Sequence, residues 1–102
     1  RGRIGFDGLL MSDDLGMHAL KGSFAERAAG VLAAGCDIAL HCSGDMAEME
    51  QVAGAVGPIT PGAASRLARA MAVVKAGQPV DLAQAVARRD ALLAPVLQTG
   101  DA

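Results

Sequence analysis

The fold is decided by residues 5–17, which read GFDGLLMSDDLGM. An apolar run from Leu9 to Met11 stops at a serine and two adjacent aspartates, and a glycine follows two residues later. A short apolar run bounded by turn residues is typical of a buried parallel strand, which we place at Leu9–Met11. Asp13 and Asp14 then fall in the loop at the carboxyl end of that strand, which is the edge that carries the chemistry in α/β folds.

The predicted strand also ranks the carboxylates of this stretch. Asp13 and Asp14 follow the strand, so both are candidate site residues, with Asp14 expected to orient the loop by bonding its backbone. Asp7 precedes the strand, at the end where a carboxylate more often serves folding, and we interpret it as a structural cap.

A helix and a second strand follow. Ser23 and Glu26 have the spacing of a capping box, and Gly35 is a typical helix stop, so we predict a helix from Ser23 to about Ala34. The next apolar segment, Cys36–Cys42, is predicted as the second strand. Strand, helix and strand in this order predict a βαβ unit with a right-handed crossover, which puts the loop of residues 41–44 on the same edge as Asp13.

The rest of the chain is predicted to be helical. Residues 45–56 begin with a second capping box, residues 60–77 begin with threonine and proline, and residues 81–95 form a last helix that ends near Pro95, with a frayed tail over residues 98–102. Each helix has an apolar face, and we expect that of residues 45–56 to point inward. These faces are formed by Ala25, Ala28, Ala29 and Leu32; Met46, Met49, Val52, Ala53 and Val56; Ala64, Leu67, Ala68, Met71 and Val74; and Leu82, Ala85, Val86, Leu92 and Leu93.

Composition excludes several classes of function. The chain has 102 residues, a net charge of −2 and 52% apolar residues, with two Phe and no Trp or Tyr. The weakly acidic balance gives no electrostatic footprint for nucleic acid, and no apolar run reaches the roughly 20 residues that cross a bilayer. Cys36 and Cys42 lack the number and spacing of a disulfide framework or a zinc site, so we expect reduced, buried thiols and no metal or cofactor.

Two strands are too few for a stable independent sheet. We therefore interpret the chain as the carboxyl-terminal piece of a longer protein. The alternative is a complete small helical domain, since domains of this length are common.

The sequence resembles glycoside hydrolase family 3. The similarity lies in the stretch from Gly5 to Met17, in FAERA at residues 24–28 and in AGCDI at residues 34–38, and it covers roughly the first three quarters of the chain. Within the family the chain most resembles the bacterial cytoplasmic β-N-acetylhexosaminidases of peptidoglycan recycling. From about Gly77 onward we identify no similarity.

The resemblance implies a fold and a reaction. The fold would be the C-terminal part of a TIM (β/α)8 barrel, with the last two βα units and following helices in residues 1–76 and a C-terminal helix and tail in residues 77–102. Asp13 would be the nucleophile of a retaining glycosidase that removes β-linked N-acetylglucosamine from cell-wall fragments in the cytoplasm. Met17 and His18, in the loop after it, are candidate substrate contacts.

The resemblance also implies that the site is incomplete. In the resembled enzymes the proton donor is a histidine paired with an aspartate, within a Lys-His-Phe-Pro-Gly-His-Gly stretch, and neither His18 nor His41 lies in such a context. The isolated chain is therefore expected to be inactive, and its partners would be the sugar substrate and the remaining barrel, with no nucleic acid and no membrane.

Other interpretations of the aspartate pair stay open at this point. Asp13 could simply cap the turn that follows it. Adjacent aspartates at a strand's carboxyl end also hold Mg²⁺ in phospho-accepting regulatory modules, although such a module needs about five strands and a lysine after a later one, where this chain has His41, Cys42 and Ser43. A third possibility is a fragment with no catalytic role.

Overall fold

The computed structural model describes residues 1–98 as an α/β arrangement in which a helix connects two parallel strands. The elements in chain order are β1 (Met11–Asp14), α1 (Phe24–Ala33), β2 (Ile38–Leu40), α2 (Met46–Val56), α3 (Pro61–Lys75) and α4 (Leu82–Gln98). The βαβ unit predicted from the sequence is therefore confirmed. Residues 1–98 are therefore not all helical, whereas the interpretation of the chain as a piece of a longer protein stays a prediction.

The limits of β1 differ from the prediction. The strand lies at Met11–Asp14 instead of Leu9–Met11, so the aspartate pair belongs to the strand's last residues and not to the loop. At Leu10 the pairing is mixed, because the Leu10 carbonyl accepts the Asp37 N–H at 2.8 Å whereas the Leu10 N–H donates to a side chain, Asp37 Oδ2, at 3.0 Å. Beyond Asp14 the pairing continues, because the Leu15 N–H donates to the Leu40 carbonyl at 2.9 Å.

The second strand is shorter than the predicted Cys36–Cys42 and covers Ile38–Leu40. The register pairs Met11 with Ile38 and Asp14 with Leu40, with an irregularity between them. The irregularity has a local cause. Ser12 Oγ accepts the Leu40 N–H at 2.9 Å, so a side chain takes the place of a backbone acceptor in the ladder.

The helix starts agree closely with the predictions. Ser23 Oγ accepts the Glu26 N–H and the Glu26 carboxylate accepts the Ser23 N–H, which completes a capping box at the start of α1. Thr60 caps α3 through the Ala63 N–H at 3.1 Å, with proline at the first helical position. Gly35 follows α1 with a φ of 111°, a left-handed conformation that glycine adopts without a Cβ clash.

The helix ends differ in one place. We predicted that the last helix ends near Pro95, but α4 continues through it to Gln98. Proline lacks the N–H that would bond four residues back, so one bond of the last turns is missing while the chain keeps its helical path. The predicted fraying of residues 98–102 is wrong for Gln98, and residues 99–102 lie outside the described residues.

The predicted inward face of α2 is only partly covered, since Met46 is 65% and Met49 is 44% exposed. Helix α1 packs on α2 and on β2, and the buried apolar residues within residues 1–98 are Leu15, Ala28 and Ala63. The apolar faces of α3 and α4 are largely exposed, with Val74 at 68%, Leu82 at 74% and Leu92 at 70%. The radius of gyration is 19.3 Å, against about 13 Å for a compact domain of this length. Residues 1–98 therefore leave much apolar surface without a packing partner among themselves.

The division of the chain at residue 76 stays a prediction. It coincides with the connection between α3, which ends at Lys75, and α4, which begins at Leu82. Among the helices of residues 1–98, none combines the length and the hydropathy that a membrane crossing requires.

Candidate active site

Asp13 lies exposed at the carboxyl end of β1. One carboxylate oxygen, Oδ1, accepts the Asp14 N–H at 2.8 Å. Of the arginines, lysines and histidines in residues 1–98, none forms an ion pair with this carboxylate. Asp13 is thus held by one backbone amide and otherwise faces outward.

Asp14 has the opposite environment. Its Oδ1 accepts the Gly16 N–H at 3.0 Å and the Cys42 N–H at 3.3 Å, so one carboxylate oxygen joins the loop after β1 to the residues after β2. A Cβ at Gly16 would lie 3.3 Å from Asp14 Oδ2, which explains the glycine two residues further on. The prediction that Asp14 orients the loop through backbone bonds is confirmed.

Ser12 joins the two strands beside the aspartate pair. Its hydroxyl donates to the Asp13 carbonyl at 2.8 Å while accepting the Leu40 N–H at 2.9 Å. The donor to the Asp13 carboxylate is the backbone amide of Asp14.

The two candidate substrate contacts lie near Asp13 in the chain but make no site by themselves. Met17 and His18 are both exposed in the turn region after β1. The Met17 N–H bonds to the Asp14 carbonyl at 3.3 Å, which places this turn directly beyond the acidic pair. Their role as substrate contacts stays a prediction.

A cluster that the sequence did not predict lies beside Asp14. The His41 side chain is 6% exposed, with Nε2 at 2.8 Å from Ser43 Oγ and 3.1 Å from Glu48 Oε2. Asp45 caps α2 through the Glu48 N–H at 3.0 Å, but the predicted capping box is only half formed, because the Glu48 carboxylate binds His41 and Ser43 instead of the cap backbone. No pattern in the sequence distinguishes these two uses of Glu48.

The opposite end of the sheet is a network of aspartates and arginines. Asp37 binds the guanidinium of Arg1 and that of Arg66, and Asp7 binds Arg69 at 3.1 Å. The Leu10 N–H bond and, further, the Arg1 and Arg66 charges hold the pKa of Asp37 below its ordinary value, although burial opposes them. The hydrogen bond and charge of Arg69 lower the pKa of Asp7 in the same way.

Asp7 is therefore not the cap that we predicted. Its carboxylate accepts from Arg69 of α3, and the Asp7 carbonyl accepts from the same guanidinium at 2.8 Å. It attaches the segment before β1 to a helix more than 60 residues away in the chain. Its position at the amino end, away from Asp13, agrees with the prediction.

A cavity of about 560 Å³ also opens at this amino end. It is lined by residues from the start of β2, from α2 and from the α2–α3 connection, among them Asp37, Ile38, Val56, Ile59 and Arg66. The carboxylate that would carry the chemistry, Asp13, is not part of it. We therefore base the candidate site on the carboxyl end of the sheet and not on this cavity.

The two cysteines are free thiols, but they are not both buried as expected. Cys36 is partly buried and Cys42 is exposed. Desolvation, together with the negative charge and hydrogen bonding of Asp14 and the charge of Asp13, raises the pKa of the Cys42 thiol. Within residues 1–98 no group of three or more His, Cys, Asp or Glu side chains is arranged to hold a metal ion.

The first strand of this parallel βαβ unit ends in a carboxylate that is hydrogen-bonded but accessible. This arrangement is typical of one class of protein, the α/β proteins with their chemistry at the carboxyl edge of the sheet. Comparison with known families specifies it further. Residues 1–86 match the family described as Glycosyl hydrolase family 3 N terminal domain. The chain belongs to this family.

Curated relatives agree with the family match. The chain is 44% identical over 71 residues to a β-hexosaminidase of Chromobacterium violaceum, an alignment that covers 68% of this chain and 20% of the relative. It is 38% identical over 76 residues to a β-hexosaminidase of Bordetella avium, covering 70% of this chain and 20% of the relative. A β-hexosaminidase of Tolumonas auensis is 49% identical over 45 residues, or 42% of this chain and 14% of the relative.

The chain thus spans about a fifth of the length of the first two of these relatives. No solved structure matches it. The family match favours a glycosidase over the phospho-accepting module that the aspartate pair alone left open.

Proposed function

We propose that this chain is the nucleophile-bearing part of a retaining β-N-acetylhexosaminidase. The observation that carries the proposal is the position of Asp13, an accessible carboxylate at the carboxyl end of a parallel strand in a family 3 chain. The names of the relatives, all β-hexosaminidases, support the choice of sugar class.

The reaction assigns a different task to each aspartate of the pair. In a retaining glycosidase, one carboxylate attacks the anomeric carbon and a second group, about 5 Å away, protonates the leaving oxygen; water then opens the glycosyl-enzyme. Asp13 Oδ1 is bound by the Asp14 N–H, which fixes the carboxylate plane and leaves Oδ2 for the attack. Asp14 stays outside the reaction and holds the backbone through Gly16 and Cys42.

The proton donor would come from another part of a longer protein. We propose that residues 1–76 form the last two βα units of an eight-stranded barrel and that residues 77–102 add a C-terminal helix and tail. The missing strands and helices would cover the apolar faces of α3 and α4, whose exposure supports this arrangement. An earlier loop of the same barrel would bring the donor to the edge where Asp13 lies.

The substrate would be a terminal β-linked N-acetylglucosamine of a peptidoglycan fragment, processed in the cytoplasm during cell-wall recycling. Met17 and His18 lie in the turn after Asp13 and are the side chains of this chain that we propose to contact the sugar. The motif similarity of residues 5–17 is the support for this finer assignment.

Turnover of paired substrates tests the proposal. The longer protein that contains this chain should hydrolyse an aryl N-acetyl-β-glucosaminide well and an aryl β-glucoside, which lacks the N-acetyl group, poorly. The isolated 102 residues should hydrolyse neither, because loss of general acid catalysis alone forfeits roughly 10²–10⁴-fold of rate. Preference for the glucoside, or clear turnover by the isolated chain, would refute the proposal.

A further inference from the structure

The imidazole of His41 is the most buried titratable side chain at the carboxyl end of the sheet in residues 1–98 that the proposed reaction does not use. It is 6% exposed and packs edge-to-face on Phe24 of α1, with ring centroids 4.9 Å apart. Its Nδ1 is buried without a hydrogen-bond partner among the described residues. Burying an unpaired polar atom is costly, so the structure must gain something from keeping a histidine here.

The hydrogen bonds of Ser43 identify the proton on the other nitrogen. A serine hydroxyl has one proton, and Ser43 Oγ donates it to Glu48 Oε2 at 2.5 Å. The 2.8 Å contact between Ser43 Oγ and His41 Nε2 must then be donated by the ring. Nε2 therefore carries a proton that points toward Ser43 and the Glu48 carboxylate, 3.1 Å away.

The unpartnered nitrogen faces Asp14. Asp14 Oδ1 lies 4.0 Å from His41 Nδ1, and it is the same oxygen that accepts the Gly16 and Cys42 amides. The ring thus lies between the Asp14 carboxylate of β1 and the Glu48 carboxylate of α2.

We propose that His41 is a positioning residue for the nucleophile. The groups that face its ring are Asp14 of β1, Glu48 of α2, Ser43 and the Phe24 ring, on whose face the Arg27 guanidinium also lies at 4.9 Å. A proton on Nδ1 would attract the Asp14 carboxylate toward α2 and so hold the backbone whose N–H binds Asp13 Oδ1. The role in catalysis rests on the proposed function, whereas the link between His41 and Asp14 does not.

The half-formed capping box at the start of α2 is an independent sign that His41 is joined to α2. Glu48 has the spacing to bond the Asp45 backbone, as Glu26 does at the start of α1. It forgoes that bond and binds His41 and Ser43. The capping-box spacing therefore has a local role at the start of α1, where Glu26 bonds the cap. At the start of α2 the glutamate of the same spacing, Glu48, instead joins the helix to His41.

Two substitutions in the longer protein separate positioning from packing. His41→Leu keeps most of the buried volume and removes both ring nitrogens, whereas His41→Asn places an amide close to where Nδ1 lay and can still donate to Asp14. We expect His41→Leu to lower kcat about ten- to a hundredfold with little change in KM, because a small displacement of a reacting group has effects of this size. His41→Asn should recover most of the loss even where its Tm is lower than that of the leucine variant.

The result that overturns the proposal is a kcat that follows Tm across the two variants, or a wild-type kcat in both. A second measurement is independent of turnover. In protein labelled with ¹⁵N-histidine, the Nδ1 resonance of His41, assigned by its loss in His41→Asn, should be that of a protonated nitrogen and should change in Asp14→Asn. An unprotonated Nδ1 that ignores Asp14→Asn contradicts the link. If the wild-type protein shows no turnover, the proposed function fails and the ¹⁵N result alone decides the inference.

Discussion

The two ends of the small sheet treat their carboxylates in opposite ways. At the amino end Asp7 and Asp37 are bound by the guanidinium groups of Arg1, Arg66 and Arg69. At the carboxyl end Asp13 and Asp14 are bound by backbone amides, and the imidazole of His41 lies 4.0 Å from Asp14 Oδ1. Arginine pairs neutralise a carboxylate permanently, whereas amides orient it and leave its charge available. The amino end therefore neutralises its carboxylates, whereas the carboxyl end leaves the charge of Asp13 available, as the proposed function requires.

The largest expected effect comes from removing the Asp13 carboxylate. In the longer protein, Asp13→Ala should lower kcat by about 10³-fold or more, because it deletes a group that acts chiefly in the transition state. Its Tm should stay close to that of the wild type, since Asp13 forms no ion pair with the described residues. The matched control is Asp14→Ala, which should cost less activity and more stability. A larger loss of activity in Asp14→Ala than in Asp13→Ala would contradict the roles assigned to the two aspartates.

The next effect in size is on stability and belongs to the amino end. Asp37→Asn should lower Tm by several degrees, because it removes the charge that pairs with two arginines and leaves one acceptor oxygen where the Leu10 N–H and both guanidinium groups now share two. Asp7→Asn should lower Tm less, since the Asp7 side chain is 73% exposed and exposed ion pairs contribute little. Thermal unfolding of the two variants measures the difference. Equal losses would show that the network does not depend on burial.

Low pH should reduce the stability of the protein through Asp37. Because the pKa of Asp37 is lowered in the folded chain, its contribution to stability is complete above the ordinary aspartate pKa of about 4. It is lost as the pH falls through the lower folded pKa. A series of Tm measurements below pH 4 should show a steeper decline for the wild type than for Asp37→Asn. Parallel curves would contradict this assignment.

The smallest expected effect is a shift in thiol reactivity at the carboxyl end. The raised pKa of Cys42 lowers the thiolate fraction near neutral pH, so alkylation should be slow. Asp14→Asn removes one cause of that shift and should move the rate–pH profile of Cys42 to lower pH. Cys36, near the amino end, serves as the internal control. Mass spectrometry of the two cysteine peptides measures both rates, and an unchanged Cys42 profile would contradict the stated influence of Asp14.

The comparison of the two ends was only partly predictable from the sequence. The abrupt change from apolar residues to Ser12, Asp13 and Asp14 predicted a strand end, and the later apolar segment predicted its parallel neighbour. The strand limits were wrong because two side chains, Asp37 and Ser12, replace backbone partners in the ladder. A pattern of apolar residues contains no information on such substitutions.

The partners of the polar side chains were the least predictable part. The spacing of Asp45 and Glu48 predicts a capping box. Whether Glu48 bonds the cap backbone or His41 depends on the position of the His41 ring, which follows β2 in the chain. The pairing of Asp7 with Arg69 joins residues 62 positions apart, a distance over which local patterns predict nothing. The apolar faces of α3 and α4 were predicted from the helical period of their apolar residues alone. The period shows that a face is apolar, but it does not show which part of the protein covers that face.

The most direct test of the central claim is covalent capture of the nucleophile. A 2-fluoro sugar with a good leaving group slows the breakdown of a glycosyl-enzyme, so the intermediate on the longer protein should accumulate and survive digestion. Trypsin cuts after Arg3 and Lys21, which places Asp7, Asp13 and Asp14 in one peptide of residues 4–21. Fragmentation of that peptide should locate the sugar on Asp13. A sugar on Asp14, on Asp7 or on a different peptide would contradict the account.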